Sequence, residues 1–267
     1  MKFKKILLTG GSRGIGRALL NIFLEDGSEV HVVSRKFDDN QSDTNLKFHS
    51  LDLTKTGRVN EFAENFIESY GIPDLLINNA GSGSFYEWNQ FPETEIQNQL
   101  NLLFYAPVLL CRKIVPEMAK VDKGKIVNIS SLATIYPLPY MPLYNACKSA
   151  LSSFTKSMIL EYQRCPVFID VILGDVRTEF NQMASKSRSN VGSEETKSAW
   201  IQIEKQLNVS PRAPEIAKRL KSKIIKSSGG VLYEGGFLHR TLFASFGQIL
   251  PDYLKNKILQ KRYFNRR

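Results

Sequence analysis

Short apolar runs and helically spaced apolar positions take turns along the first 173 residues. Lys4–Thr9, Val30–Ser34, Leu46–Leu51, Asp74–Asn78, Lys125–Ile129 and Val167–Leu173 read as strands, most of them apolar on both faces. From Gly14 to about Asp26, Ile15, Leu19, Ile22 and Phe23 share one helical face, and Val59–Tyr70, Thr94–Met118 and Leu143–Arg164 repeat that period. Strands buried on both faces belong in a parallel sheet, because each crossover lays a helix on one face or the other. The pattern therefore predicts an α/β protein built on a doubly wound parallel sheet.

The rhythm breaks after Leu173. Residues 174–212 are polar and rich in Ser, Asn and Glu, and 175–211 reads as a substrate lid rather than filler. Pro214 opens a helix to about Lys226, and Gly229–Tyr233 reads as a last strand. With no internal repeat and no low-complexity linker, residues 1–267 form a single domain.

Composition narrows the class. No apolar run approaches the roughly 18 residues of a spanning helix, and Ile6–Leu8 is too short for a signal-peptide core. Cys111, Cys147 and Cys165 have no metal-ligand spacing, which points to a reduced, cytoplasmic protein. The histidines at 31, 49 and 239 are scattered, so no metal is expected. Of the net charge of +10, all resides in the segment from Arg212 to Arg267, where thirteen Lys/Arg face three Asp/Glu. A neutral body thus carries a basic end. Solvated helix faces account for it, as does attraction to an acidic carrier protein or lipid surface.

Candidate chemistry begins at Thr9-Gly10-Gly11-Ser12-Arg13-Gly14-Ile15-Gly16, between the first strand and first helix. Glycines permit the tight turn, and a helix N-terminus offers N–H groups and a positive dipole to a pyrophosphate. In that setting the sheet is of Rossmann type, with Gly10, Ser12, Arg13, Gly14, Ile15 and Gly16 as dinucleotide contacts. The second strand ends Val33-Ser34-Arg35 with no acid before Asp38. Arg35 and Arg13 are suited to grip a 2′-phosphate, which favours NADP(H) over NAD(H).

Tyr144 and Lys148 stand four residues apart, on one face of a predicted helix. A free tyrosine titrates near 10, too high for an efficient proton shuttle at neutral pH. An adjacent ammonium stabilises tyrosinate, so Lys148 is expected to lower the Tyr144 pKa.

Four elements occur in order: Thr9-Gly10-x-x-x-Gly14-x-Gly16, Asn78-Asn79-Ala80-Gly81, Ser131 thirteen residues before Tyr144, and Tyr144-x-x-x-Lys148. Together they resemble the short-chain dehydrogenase/reductase family over about residues 3 to 180. The resemblance implies Tyr144 as general acid/base and Lys148 as the residue that binds the nicotinamide ribose. Ser131, rather than its neighbour Ser130, matches the serine that orients the substrate carbonyl. Asn101 matches the helix asparagine of a water-linked proton relay. Asp52 and Leu53 match the pair flanking the adenine, and Asn79, Ala80 and Gly81 lie beside the cofactor. Gly174, Val176 and Thr178 match the stretch that meets the nicotinamide amide and phosphates.

Three departures accompany it. Leu173-Gly174-Asp175-Val176-Arg177-Thr178 lacks the family's proline and adds the charge of Asp175. Leu102-Leu103-Phe104 is bulkier than is usual after the asparagine. About thirty residues follow Gly235-Gly236, where short members commonly stop.

Leu132, Ile135, Tyr136, Leu138, Tyr140 and Met141 make an apolar approach to the reacting carbon, with Met183, Trp200 and Ile203 placed to close over it. In the extension 237–267, Phe243, Phe246, Ile249 and Leu250 form an apolar patch, and Pro251 opens a helix with Leu254 and Ile258 among basic residues. Such an ending lies on an anionic bilayer, on the body, or on a second subunit. The expectation is an NADPH-dependent reductase of an apolar ketone or aldehyde, in a homodimer or homotetramer. A 3-oxoacyl-[acyl-carrier-protein] reductase acting on an acyl thioester is the alternative enzyme, and a low-turnover NADP(H) sensor or scaffold the alternative of another class. The basic residues lack a recognised nucleic-acid module, so no nucleic-acid partner is expected.

Overall fold

The computed structural model describes residues 3–37, 43–178, 192–236 and 249–264. Its strands are β1 (Lys5–Thr9), β2 (Glu29–Ser34), β3 (Leu46–Ser50), β4 (Leu75–Asn78), β5 (Lys125–Ile129), β6 (Val167–Leu173) and β7 (Gly230–Glu234). All pair in parallel, in the order β3-β2-β1-β4-β5-β6-β7. The α/β doubly wound sheet expected from the apolar rhythm is thus present as one domain. Strand order reverses between β1 and β4. In such sheets that switch point opens a crevice at the carboxyl ends of the strands.

The helices are α1 (Gly14–Glu25), α2 (Thr56–Tyr70), α3 (Glu93–Leu100), α4 (Ala106–Lys120), α5 (Pro142–Glu161), α6 (Glu194–Asn208), α7 (Ala213–Lys226) and α8 (Asp252–Phe264). One face of the sheet packs on α1 and α7, where Leu19, Phe23, Ile216 and Leu220 meet Ile6 and Leu8. The other packs on α2 and α4, where Val59, Phe66, Leu110 and Ile114 meet Leu7 and Leu76. Adjacent residues of β1 therefore serve opposite layers, which is why Ile6, Leu7 and Leu8 are all apolar and buried. Lys125 ties the layers together. Its buried ammonium donates to the carbonyls of Ile224, Ile225 and Ser227, closing the C-terminal end of α7.

The continuous helix expected over Thr94–Met118 is interrupted. Asn101–Tyr105 forms a π-helical turn between α3 and α4, in which the Ala106 N–H reaches the Asn101 carbonyl. Pro107 supplies the reason: it has no N–H, and its ring would collide with the carbonyl four residues back in a regular α-helix. A wider turn removes the collision.

The polar stretch after Leu173 also holds more order than its composition suggests. Within it α6 begins at Ser193, whose hydroxyl accepts from the Thr196 N–H as an N-cap. Ala199, Trp200 and Ile203 are buried along one face. Trp200, Ile203, Phe85, Met141 and Tyr263 form a third apolar cluster, apart from the two sheet faces. Its partner is α8, which opens just after Pro251 as expected. The face it buries carries Tyr263, with Leu259 and Phe264 partly buried, whereas Ile258 is 56 % exposed. Helix α8 thus packs on the body of its own chain. Met183, Phe243 and Phe246 lie outside the described residues. No described helix is long and apolar enough to cross a membrane.

Candidate active site

A cleft of about 1030 Å³ opens at the carboxyl ends of β1, β4, β5 and β6. At one end stands the glycine turn. Gly10 has φ +72°, and an added Cβ would come within 2.7 Å of the Ala80 Cα; at Gly16 one would lie 2.1 Å from the Gly10 carbonyl oxygen. Only glycine fits either place. Asn79 locks this geometry, since its amide donates to the carbonyls of Thr9 and Gly10 at 3.0 and 3.1 Å. The Thr9 hydroxyl in turn accepts from the backbone of Asn79 and Ala80. Asn79 and Ala80 are thereby structural partners of the turn as well as lining residues.

Helix α1 begins without a side-chain cap, and its first turn contains no acid. Its leading N–H groups and dipole face the cleft at Gly14, Ile15 and Gly16, a good seat for a pyrophosphate. Ser12 and Arg13 line the same wall. Arg35 and Lys36 follow β2 into the cleft, opposite Asp52, Leu53 and Thr54. Burial pushes the Asp52 carboxyl up, but two hydrogen bonds from Thr54 and the nearby Arg35 outweigh it and hold it below its usual range. A dinucleotide fits this donor set.

The reactive groups stand at the other end. Ser131 caps a short 3₁₀ turn at Leu132–Thr134, its oxygen accepting from the Ala133 N–H at 3.1 Å. It also hydrogen-bonds Tyr144, which projects from the first turn of α5. Lys148, one turn on and buried, donates to the Ile129 carbonyl at 2.6 Å. Gly81 faces it: a Cβ there would lie 3.9 Å from the Lys148 Nζ and 3.3 Å from the Leu103 side chain. The bulk noted at Leu103 is thus matched by the missing side chain of Gly81. Gly174, Val176 and Thr178 complete the wall beyond β6.

One electrostatic expectation is reversed. Burial drives the Tyr144 phenol up to about 12, with Ser131 acting to lower it and Asp175 to raise it further. Burial likewise brings Lys148 down to about 8. Desolvation outweighs the effect anticipated from i,i+4 proximity, because both groups lose water and each favours its neutral form. The phenol is therefore protonated at neutral pH, so it holds a proton to give, but as a weaker acid than a free tyrosine.

Asn101 stands apart from the other candidates. It opens the π turn, donates its amide to the Thr54 carbonyl at 2.9 Å and accepts from Gln97. Asn98, Gln99 and Leu102, its neighbours, line the cleft.

Two features escaped the sequence. Behind Lys148, buried Asp170 accepts from Ser130 and Ser152, and burial raises its carboxyl. The signal was a lone acid in the apolar strand VFIDVIL. The second is the α8 side of the roof, where Ile258, Leu259, Arg262 and Tyr263 join Leu207 and the Trp200 and Ile203 that were expected to close over the site.

Fold and site together define a class. The chain matches the short chain dehydrogenase family over residues 4–189, and it belongs to that family of oxidoreductases. Over 265 residues it is 29% identical to the 3-ketodihydrosphingosine reductase of Bacteroides thetaiotaomicron, the match spanning 97% of each chain. It is 32% identical over 190 residues to dehydrogenase/reductase SDR family member 4 of Bos taurus, covering 67% of this chain and 68% of that one. Among solved structures, a short-chain dehydrogenase from Streptomyces avermitilis is similar with a TM-score of 0.78 at 21% identity, over 97% of this chain and 95% of that one. At that identity the likeness concerns the fold.

Proposed function

We propose that the protein reduces the ketone of a long-chain 3-keto compound of the 3-ketodihydrosphingosine type, using NADPH. The observation that carries this reading is the placement of Ser131 and Tyr144 beneath an apolar roof contributed by α6 and α8. A roof of Trp200, Ile203, Leu259 and Tyr263 suits an alkyl chain and offers little to a sugar. The 97% coverage of a relative named as a 3-ketodihydrosphingosine reductase supports the same substrate class. Arg13, Arg35 and Lys36 support NADPH, since each can form a charge-assisted bond to a 2′-phosphate.

The first-turn N–H groups of α1 would hold the pyrophosphate, and Lys148 would hold the nicotinamide ribose. When bound, NADPH supplies the hydride. Ser131 donates to the ketone oxygen and fixes its position, and Tyr144 gives that oxygen its proton as the carbonyl carbon takes the hydride. The carbon–oxygen double bond becomes a C–OH bond, and solvent restores the phenol proton.

The test is NADPH oxidation by the purified protein in the presence and absence of 3-ketodihydrosphingosine, repeated with Tyr144→Phe. Ketone-dependent turnover that falls at least about 100-fold in the variant, with NADPH affinity unchanged, is expected. Turnover persisting in Tyr144→Phe would overturn the assigned proton donor. Absence of turnover in the native protein would overturn the substrate.

A further inference from the structure

Gln99, in the last turn of α3, is 1 % exposed, and neither its Nε2 nor its Oε1 has a hydrogen-bond partner. Among the described residues that line the cleft, it alone carries buried side-chain polar atoms left unmatched. Its neighbours are matched with one another. The Ser84 hydroxyl donates to Glu95 Oε2 at 2.7 Å, and the Asn98 amide donates to Glu95 Oε1 at 3.5 Å. A buried amide without partners costs stability, so a native fold keeps few of them and each calls for an explanation.

The amide lies level with the reacting groups. Helices α3 and α5 follow the neighbouring parallel strands β4 and β5 and pack on each other. A Cβ at Gly81 would touch both the Leu103 side chain and the Lys148 Nζ, which places those two side by side. Gln99 stands four residues before Leu103, as Tyr144 stands four before Lys148. One turn toward the cleft on each helix therefore brings Gln99 and Tyr144 to the same height. Between α3 and the roof runs the loop after β4. Its Ser84 turns to Glu95 of α3, while the adjacent Phe85 packs edge-on against Trp200 at 5.0 Å. The loop thus has a polar niche on one side and the apolar roof on the other.

We propose that the Gln99 amide binds a hydroxyl on the head group of the substrate, giving it one hydrogen bond and accepting another. This rests on the reductase reading above, whose substrate class bears a primary hydroxyl two carbons from the ketone. Of the polar groups on such a substrate, only the hydroxyl answers both orphaned atoms. An ammonium only donates and leaves Nε2 unmatched, and a ketone oxygen only accepts and leaves Oε1 unmatched. With the ketone oxygen on Ser131 and Tyr144 and the alkyl chain under α6 and α8, the head group is left facing α3. The amide is stripped of water before the ligand arrives, so forming both bonds costs it no further desolvation.

The experiment compares kcat/KM, at saturating NADPH, for 3-ketodihydrosphingosine and for its 1-deoxy analogue, which keeps ketone, amine and chain and loses the hydroxyl. Native protein and Gln99→Met are assayed, with Gln99→Leu as a second variant. In parallel, NADP⁺-loaded protein is titrated with the corresponding amino diol and its 1-deoxy form, and urea unfolding is followed without ligand. The native protein is expected to prefer the hydroxylated ligand about 10- to 100-fold in both measurements, and the variants to lose most of that preference. Their urea midpoints should be no lower than the native one, since an apolar chain replaces an unmatched buried amide. Lower midpoints with equal losses for both ketones would make Gln99 structural and sink the proposal, as would a fall in NADPH affinity with the ketone ratio intact. Turnover of both ketones with a ratio that the variants leave unchanged would overturn the role of Gln99 and leave the reductase reading standing. Gln99-dependent, hydroxyl-selective binding without turnover of either ketone would uphold Gln99 and overturn that reading. Neither turnover nor hydroxyl-selective binding would overturn both.

Discussion

The Lys148 ammonium donates to the Ile129 carbonyl at 2.6 Å, so the last residue of β5 holds the cation that stands one helical turn from Tyr144. This bond orients the lysine before any ligand enters. Its position also couples the chemistry to pH. With Lys148 brought down to about 8 by burial, the ammonium predominates at pH 7 and is lost as pH rises through that value. The kcat/KM for reduction is expected to fall along an alkaline limb near 8. Lys148→Arg should move the limb out of the measured range, and Lys148→Met should reduce turnover about 100-fold at pH 7 and abolish the limb. A pH profile of the three proteins checks this.

Cofactor selection is separable from catalysis. Arg35→Asp is expected to weaken NADPH binding about 10- to 100-fold and to leave NADH binding within about threefold, as measured by fluorescence titration at fixed salt. Equal losses for the two cofactors would remove the 2′-phosphate contact from the account.

The glycine turn has almost no slack. Gly16→Ala places a methyl 2.1 Å from the Gly10 carbonyl oxygen, backbone against side chain, so the turn itself must move. Nucleotide affinity should drop at least about tenfold while the far-ultraviolet circular dichroism stays native. Asn79→Ala frees the carbonyls of Thr9 and Gly10 and is expected to cost about 1–3 kcal/mol in urea unfolding, with weaker nucleotide binding.

Lys125 makes a prediction for the fold alone. Lys125→Met keeps the apolar stem and strips the donor from three carbonyls at the end of α7. A loss of about 2 kcal/mol or more is expected from denaturant unfolding, with kcat unchanged in the protein that remains folded.

Acid sensitivity has a local source. His31 and His49 bond each other at 2.9 Å among Phe62, Phe66 and Tyr70. Burial lowers His31, and burial followed by the neighbouring His31 lowers His49 to about 4. Unfolded histidines titrate near 6.5, so the unfolded chain binds more protons between those values, and stability falls as pH drops from about 6.5 toward 4. His49→Phe should flatten that slope in melting curves taken across the same range.

How much of this was legible beforehand follows from where each signal resides. Ile6, Leu7 and Leu8 announce a strand buried on both faces by themselves, and the glycine turn and the Ser131, Tyr144 and Lys148 spacing are local patterns that the fold brings into one cleft. The π turn was hidden, because Pro107 inside a helical period reads as a tolerated kink until the carbonyl it displaces is located. Helix α6 was masked by the polarity of its outer face, although Ala199, Trp200 and Ile203 carry the period. The Tyr144 shift was misjudged because sequence spacing reports proximity and says nothing of desolvation. Nor does any local pattern tell which face of α8 turns inward. That depends on a tertiary partner, Trp200, some sixty residues away.

That partnership divides the molecule's inheritance into two parts. On the proposed reading, the proton and cofactor groups lie between Thr9 and Thr178, on strand ends that a change of substrate need not disturb. What enters is decided by two helices later in the chain, one of which touches the body chiefly through the other. If the proposed substrate class holds, substitutions along residues 252–264 would alter the accepted chain length while the step at the carbonyl stays the same, so diversification of substrate is easier for this architecture than diversification of reaction.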